Sequence, residues 1–260
     1  NKKKMTREPI YQHLIDRLPS LDARRLFHGR GRLHEGWEQI NIEIYPPVLW
    51  VMVYQPIDER PLTNVLNALV QNAGQLNLEA IYIQRRFEKG NPVEIFFGGD
   101  SFLESDFWVT ENNLRFLVTL GKNQNSGMFL DMCHGRNWVR ENSKGKRVLN
   151  LFSYTCSLGV AALAGGASFV SNVDMAKSAI KRGQINTAEN FKEGKSASFI
   201  VQDIFKVTKK LASKNTFDLL IADPPSFQSK SFDVRKDYSR LLQKLKPALS
   251  EQADLLLCLN

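Results

Sequence analysis

Beyond Lys146 the chain alternates short apolar runs with stretches of helical length, and few folds accept that alternation. The runs occupy 147–152, 168–174, 197–203, 217–223 and 254–259. Between them, apolar spacing predicts helices over about 156–163, 176–190, 204–212 and 235–249. A strand that is apolar on both faces must be covered on both faces, and parallel strands joined by crossover helices achieve this. The expected fold is therefore α/β, a doubly wound, Rossmann-like parallel sheet over 147–260.

A different rhythm precedes it. Residues 39–45 alternate apolar and polar positions as a half-buried strand does, Pro46-Pro47 turns the chain, and 48–54 reads as the hairpin partner. Leu62, Val65, Leu66, Leu69 and Val70 recur at helical spacing, and 80–84 and 92–97 read as strands again. This order describes a small α+β domain over 36–110, with a connecting segment over 111–146. Residues 1–35 read as a basic arm. It holds a short amphipathic stretch from Tyr11 to Leu18, then a flexible basic loop in which Gly29 and Gly31 interrupt the helical period.

Charge is segregated along the chain. Residues 1–35 carry nine Lys/Arg against four Asp/Glu, 36–120 five against eleven, and 121–260 twenty-one against twelve, for local nets of +5, −6 and +9. A basic arm and a basic C-terminal domain suit a polyanionic partner, because each neutralised phosphate releases counterions. Hydrophobic residues at 43% and charged residues at 24% exclude a disordered or collagen-like chain. No apolar run approaches the roughly 18 residues a membrane-spanning helix needs, and no apolar signal-peptide core follows the opening lysines. Cys133, Cys156 and Cys258 stand far apart without ligand spacing, and His13, His28, His34 and His134 do not cluster. A reducing cytoplasm and no metal are the expectations. A first residue other than Met suggests a chain trimmed at its start.

In open parallel sheets ligands bind beyond the carboxyl ends of the strands, where the strand order reverses. The second, third and fourth apolar runs end on Asp174, Asp203 and Asp223. A single such Asp commonly just caps the next helix, but three in succession point to a site. Asp174 stands 24 positions beyond Asn150, close to the spacing of a ribose-binding acid. The first turn, Phe152-Ser-Tyr-Thr-Cys-Ser-Leu-Gly159, lacks the glycines a pyrophosphate needs. That disfavours NAD and FAD and leaves a nucleoside joined to an amino acid, S-adenosylmethionine. Asp223-Pro-Pro-Ser-Phe227 fixes a rigid loop after a buried strand and removes two backbone donors.

Val148-Leu-Asn-Leu-Phe-Ser-Tyr-Thr155, Asp174, Gln202-Asp203 and Asp223-Pro-Pro-Ser-Phe227 resemble class I S-adenosylmethionine-dependent methyltransferases. The resemblance is closer to the bacterial group that methylates bases of large-subunit ribosomal RNA. It extends upstream through Leu114-Arg-Phe-Leu-Val118 and Gln124-Asn-Ser-Gly-Met-Phe-Leu-Asp131 to Arg136, similar to that group's Gln-x-Thr-Gly-x-Phe-x-Asp-x-Arg. In all it covers about 36–260. It implies that Asp174 holds the ribose, that Asp203 accepts from the adenine amine, and that Asp131, Ser153 and Tyr154 surround the methionine end. Phe129, Arg136, Asn150, Phe152, Thr155 and Asp223 complete the implied cofactor set. Asp223, Pro224, Pro225 and Phe227 would form the catalytic floor under a target base. Arg24, Arg25, Arg30, Arg32 and Tyr238 would hold RNA, most directly 23S ribosomal RNA.

Two departures stand out. The group's usual glycine after Tyr-Thr is Cys156, which should narrow the methionine pocket, and Met132-Cys133 replaces the usual Gln-Arg after Asp131. Class I enzymes also carry two strands after the fifth, so further strands are expected beyond Asn260. Two other functions remain open: methylation of a protein or small molecule, suggested by the acidic middle domain, and RNA binding without catalysis, suggested by the departures. Cys258 near the fifth strand end is either a buried hydrophobe or the nucleophile that pyrimidine carbon-5 methylation requires. With no evident base or nucleophile, ring-nitrogen methylation is the expected chemistry.

Overall fold

The computed structural model describes residues 9–214, 216–225, 227–228 and 232–259. The chain divides into two compact units, Asn1–Asp131 and Met132–Asn260.

The N-terminal unit runs α1 (Pro9–Ile15), β1 (Arg24–His28), β2 (Ile40–Tyr45), β3 (Val48–Val53), α2 (Glu59–Val70), β4 (Ala80–Arg85), β5 (Val93–Phe97), β6 (Asp106–Glu111) and β7 (Leu114–Thr119). Strands β1 to β5 form one sheet in sequential order. Only β3 and β4 pair in parallel, as the crossover through α2 requires. Tyr45 faces Val48 across the Pro46-Pro47 turn, so the expected hairpin is present in register.

Alternation along β2 and β3 sends Ile40, Ile42, Ile44, Leu49, Val51 and Val53 to one face. There they pack with Ile10 and Leu14 of α1 and Leu62, Val65, Leu66 and Leu69 of α2. The other face carries Asn41, Glu43, Tyr45, Trp50 and Met52, and it is buried too. The half-buried strand expected at 39–45 is thus enclosed on both sides, because residues 119–131 lie over its polar face; the Tyr45 hydroxyl is 2.9 Å from Ser126 Oγ.

A buried carboxylate on that face must be paired. Glu43 Oε1 accepts from Arg25 Nε (3.0 Å) and Nη2 (2.8 Å), and its Oε2 accepts from the Tyr45 hydroxyl (2.9 Å). Burial and the Glu43 charge push the Tyr45 phenol well above its ordinary pKa. The supposed flexible basic loop is also ordered. Arg24 to His28 form an edge strand on β2, and a Cβ on Gly29 would stand 1.8 Å from the Trp37 carbonyl. Only glycine lets the backbone approach that closely.

Sequence reasoning missed the β6–β7 hairpin, which spans the boundary expected at 110–111. Asn112 and Asn113 adopt φ of 50° and 64°, the pair of positive values a tight two-residue hairpin turn demands. The Asn-Asn between two alternating runs was the available signal.

The C-terminal unit runs α3 (Cys133–Asn142), β8 (Arg147–Leu151), α4 (Ser157–Ala164), β9 (Phe169–Asp174), α5 (Lys177–Asn190), β10 (Ala197–Val201), α6 (Ile204–Lys214), β11 (Phe217–Ala222), the short β12 (Phe227–Gln228) and β13 (Phe232–Asp233), α7 (Val234–Leu245) and β14 (Leu249–Leu257). The sheet order is β10-β9-β8-β11-β14 and every pairing is parallel. Rossmann-like α/β architecture is therefore what the alternating apolar runs produce. The order reverses between β8 and β11, which sets the crevice at their carboxyl ends. Helix α3, unread in the sequence, precedes the first strand. No helix among the described residues is long and apolar enough to cross a membrane.

Replacing Arg25 by Met would leave the Glu43 carboxylate enclosed without its cation, whose loss in a buried pair costs about 3–5 kcal/mol. With Arg25 still about one-fifth exposed, we expect a loss near the lower end in urea denaturation, largely restored by Glu43→Gln in the same chain. Additive losses in the double variant would show that the pair is not coupled.

Candidate functional site

At the carboxyl end of β8 the chain makes an unusual turn. Phe152, Tyr154 and Cys156 have φ of 53°, 48° and 63°, three non-glycine residues in the left-handed region within five positions. Such conformations cost about 1–3 kcal/mol each and persist only where surroundings over-determine them. Here the surroundings are specific. The Tyr154 N–H donates to Asp174 Oδ2 and the Ala176 N–H to Asp174 Oδ1, both at 2.8 Å. Ser153 N–H reaches the Val173 carbonyl at 3.0 Å, and Cys156 N–H returns to the Ser153 carbonyl at 2.7 Å. Asn186 of α5, fully buried, donates to the Thr155 carbonyl at 3.1 Å. Asn186 is a positioning residue that sequence reasoning missed, since an Asn inside a helix gives no signal of what lies above it.

Glycines set how close the neighbouring helices come. A Cβ on Gly159 would lie 2.2 Å from Asn172 Oδ1, so α4 rides directly on β8 and β9. Beneath it Asn150 Nδ2 donates to Asn172 Oδ1 at 2.9 Å. Asn150 is wholly enclosed, and its Oδ1 has no partner among the described residues. The structure therefore corrects the Asn150 side chain as a cofactor contact, because it is enclosed in the sheet against Asn172 of β9. Arg136 is likewise buried, its Nη1 3.5 Å from Ser157 Oγ at the head of α4.

Cys156, expected to narrow the methionine pocket, turns its thiol inward. Its side chain is buried and directed at α5, where a Cβ on Gly183 would meet Sγ at 2.2 Å. Glycine at 183 makes room for the thiol, and burial pushes that thiol up to about 12.

Asp203 accepts from the Phe205 and Lys206 N–H groups, both through Oδ1 (2.9 and 3.3 Å), and its Oδ2 has no partner among the described residues. Asp223 follows β11, with Pro224 buried and Pro225 exposed. Tyr238, expected to meet RNA, is instead buried, and its hydroxyl donates to the Ala222 carbonyl at 3.0 Å, at the carboxyl end of β11. Cys258 is half-buried beside Asp223; burial first, then the Asp223 charge and its hydrogen bond, push the thiol up to about 12. Ser226 and the Phe227 side chain lie outside the described residues. Phe129 and Asp131 belong to the N-terminal unit, where both are exposed and Asp131 Oδ2 is 3.3 Å from Arg25 Nη1. Arg25 is thereby committed to two carboxylates, whereas Arg24, Arg30 and Arg32 are exposed.

A profile of S-adenosylmethionine-dependent methyltransferases matches residues 24–260. The chain belongs to this family. It is 32% identical over 235 residues to YwbD of Bacillus subtilis, named for ribosomal RNA large subunit methyltransferase activity, covering 85% of this chain and 57% of that one. It is 33% identical over 211 residues to the ribosomal RNA large subunit methyltransferase K/L of Shewanella baltica, covering 79% and 29%. Among solved structures, SMU.776 complexed with SAH aligns with a TM-score of 0.77 at 28% identity, over 91% of this chain and 61% of that one. The chain thus spans little more than half of one curated relative and under a third of the other.

The donor set fits the family's cofactor. A carboxylate offers about four lone-pair sites. Asp174 spends two on backbone amides, which leaves capacity for two ribose hydroxyls, and Asp203 keeps Oδ2 for an amine. The turn after β8 contains no glycine pair for a pyrophosphate; within 153–155 Tyr154 is partly exposed, while Ser153 and Thr155 are buried.

Gly183→Ala should cost about 1–3 kcal/mol by overpacking against Sγ, although alanine is the better helix former by about 1 kcal/mol. Cys156→Gly removes both the thiol and the strain at φ 63°, so the double variant should recover most of the loss in urea denaturation. A double variant as unstable as the sum of its parts would refute this packing.

Proposed function

We propose that the chain transfers a methyl group from S-adenosylmethionine to a base of RNA, with large-subunit 23S ribosomal RNA as the substrate. The observation that carries the reading is the pair of carboxylates at successive strand ends, Asp174 and Asp203, each with acceptor capacity left, Asp174 holding the tightly wound turn after β8. The names of the relatives support the RNA substrate, as does the net of +9 over 121–260.

When bound, S-adenosylmethionine supplies an electrophilic methyl group on a sulfonium. Asp174 accepts from the ribose hydroxyls and Asp203 from the adenine amine, while Ser153, Tyr154 and Thr155 flank the amino-acid end. Asp223, Pro224 and Pro225 floor the space for the target base. Pro224 and Pro225 carry no N–H, so the loop presents a stiff surface with few donors. A base inside a duplex cannot enter such a crevice and must be flipped out or single-stranded.

The target atom is a ring nitrogen with its own lone pair. A carbon-5 target needs a thiolate to attack the ring, and burial with the Asp223 carboxylate beside it disfavours a thiolate at Cys258. A ring nitrogen brings its own electron pair and needs no such nucleophile. Cys258→Ser should change the methylation rate only a few-fold. A loss of orders of magnitude, or a covalent adduct with 5-fluorocytosine-containing RNA, would reverse this assignment.

Transfer of labelled methyl from S-adenosylmethionine to ribosomal RNA, compared with protein fractions, tests the substrate class; label in protein alone would overturn it. Asp174→Asn keeps one carbonyl oxygen for an amide and removes the charge. It should weaken S-adenosylmethionine binding by about 1.5–3 kcal/mol in calorimetry, the scale of hydrogen bonds to a charged group. Unchanged affinity in a folded variant would remove Asp174 from the site.

A further inference from the structure

The polar face of the N-terminal sheet is not entirely covered. A cleft of about 240 Å³ opens on it between the strands and residues 119–131. Its chemistry follows from the alternation of β2 and β3: the residues that point away from the apolar core, Asn41, Glu43, Tyr45, Trp50, Met52 and Tyr54, line it.

The charges in the cleft do not cancel. Arg25, Arg30 and Arg86 line it against Glu43 and Asp131, and both carboxylates bind Arg25. Arg30 and Arg86 meet no carboxylate among the described residues. Arg30 instead lies over the Tyr54 ring with its guanidinium carbon 4.3 Å from the centroid, and Arg86 approaches the same ring at 5.6 Å. Arg86 is held in place, donating to Gln84 Oε1 at 2.9 Å and to the Gln124 carbonyl at 2.6 Å. Asn41 is 2% exposed, spends Oδ1 on His28 Nδ1 at 3.1 Å, and has no second partner among the described residues for its carboxamide. At the rim the Phe129 residue is 42% exposed.

Two planar cations without counter-anions, an oriented carboxamide and an aromatic residue at the rim ask for a ligand that is anionic at one end and flat at the other. We propose that this cleft seats one nucleotide of a single-stranded RNA segment, its phosphate on Arg30 and Arg86 and its base toward Phe129 and the Asn41 carboxamide. Arginine forks pair with phosphate bidentately, and base stacking on an aromatic side chain works for any base. The inference rests on the RNA reading above and adds a second place on the chain where RNA is held, outside the methyltransferase sheet.

Arg30→Ala/Arg86→Ala in the full chain tests it. Fluorescence anisotropy with a labelled single-stranded ribosomal RNA fragment reads affinity across salt concentration, and calorimetry reads S-adenosylmethionine affinity. The expected result is at least a ten-fold loss of RNA affinity, and a log–log salt slope shallower by about 0.7 for each phosphate contact removed. S-adenosylmethionine affinity should be unchanged, which also shows that the variant folds. Arg30→Lys/Arg86→Lys should recover the salt slope but only part of the affinity, because an ammonium keeps the charge and loses the fork. Wild-type binding with no change in the alanine variant would overturn the cleft while leaving the RNA reading in place. A wild-type chain that binds no RNA would overturn both. Inorganic phosphate that displaces the RNA as well as adenosine monophosphate does would show an anion site without a base subsite, and would overturn the nucleotide assignment.

Discussion

The methyltransferase half of the molecule depends on one carboxylate. Asp174 closes β9 and captures the amides of Tyr154 and Ala176, so the turn after β8 and the start toward α5 are fixed by the same two oxygens. Charge-assisted bonds of this kind contribute about 1.5–3 kcal/mol each, the same order as the strain of a left-handed residue. The turn is therefore held, but with little to spare. Its remaining support comes from Asn186 on Thr155 and from the close packing that Gly159 and Gly183 permit. A ligand that uses the outer lone pairs of Asp174 meets a backbone already in place, so little ordering cost remains for binding.

The N-terminal sheet solves a related problem in a different way. Its second face is polar yet enclosed, and an enclosed carboxylate is tolerable only when paired. Arg25 and Tyr45 satisfy Glu43, so a face that looks ionic in sequence is internally neutral at its centre. The arginines that remain unneutralised stand at the opening, on Tyr54. Burial thus sorts the charges of this unit into those paired inside the fold and those that stand at its surface.

Much of the fold was legible because parallel strands have no polar face. The apolar runs ended at the same Asp residues that the structure places at or just beyond strand ends, whereas the strand order came only with the structure. The carboxylates were legible for the same reason: a strand end in a doubly wound sheet is a predictable place. What escaped was everything set by packing rather than by period. Asn150 and Tyr238 sit next to the crevice in sequence, but their side chains are turned inward by the helices and strand ends that cover them. Cys156 looked like an obstruction because its effect depends on Gly183, 27 positions away. Arg25 looked like part of a loose basic arm because nothing local shows that β1 pairs with β2 opposite Glu43.

Net charge by segment also misled in an instructive way. Residues 36–120 carry a net of −6, which argues against a polyanion there if every charge acts at long range. Exposed charges beyond a Debye length of about 8–10 Å are largely screened, so what a phosphate meets is local. In this unit Glu43 is spent on Arg25, Glu59 and Glu94 are spent on Arg85, and Asp58 is spent on Arg60. Asp131 at the cleft also faces Arg25. The acidic surplus of the segment and the cationic surplus of its cleft therefore coexist without contradiction. Which sign a partner encounters is decided by which carboxylates already have a guanidinium, and pairing in three dimensions settles that where counting along the chain cannot.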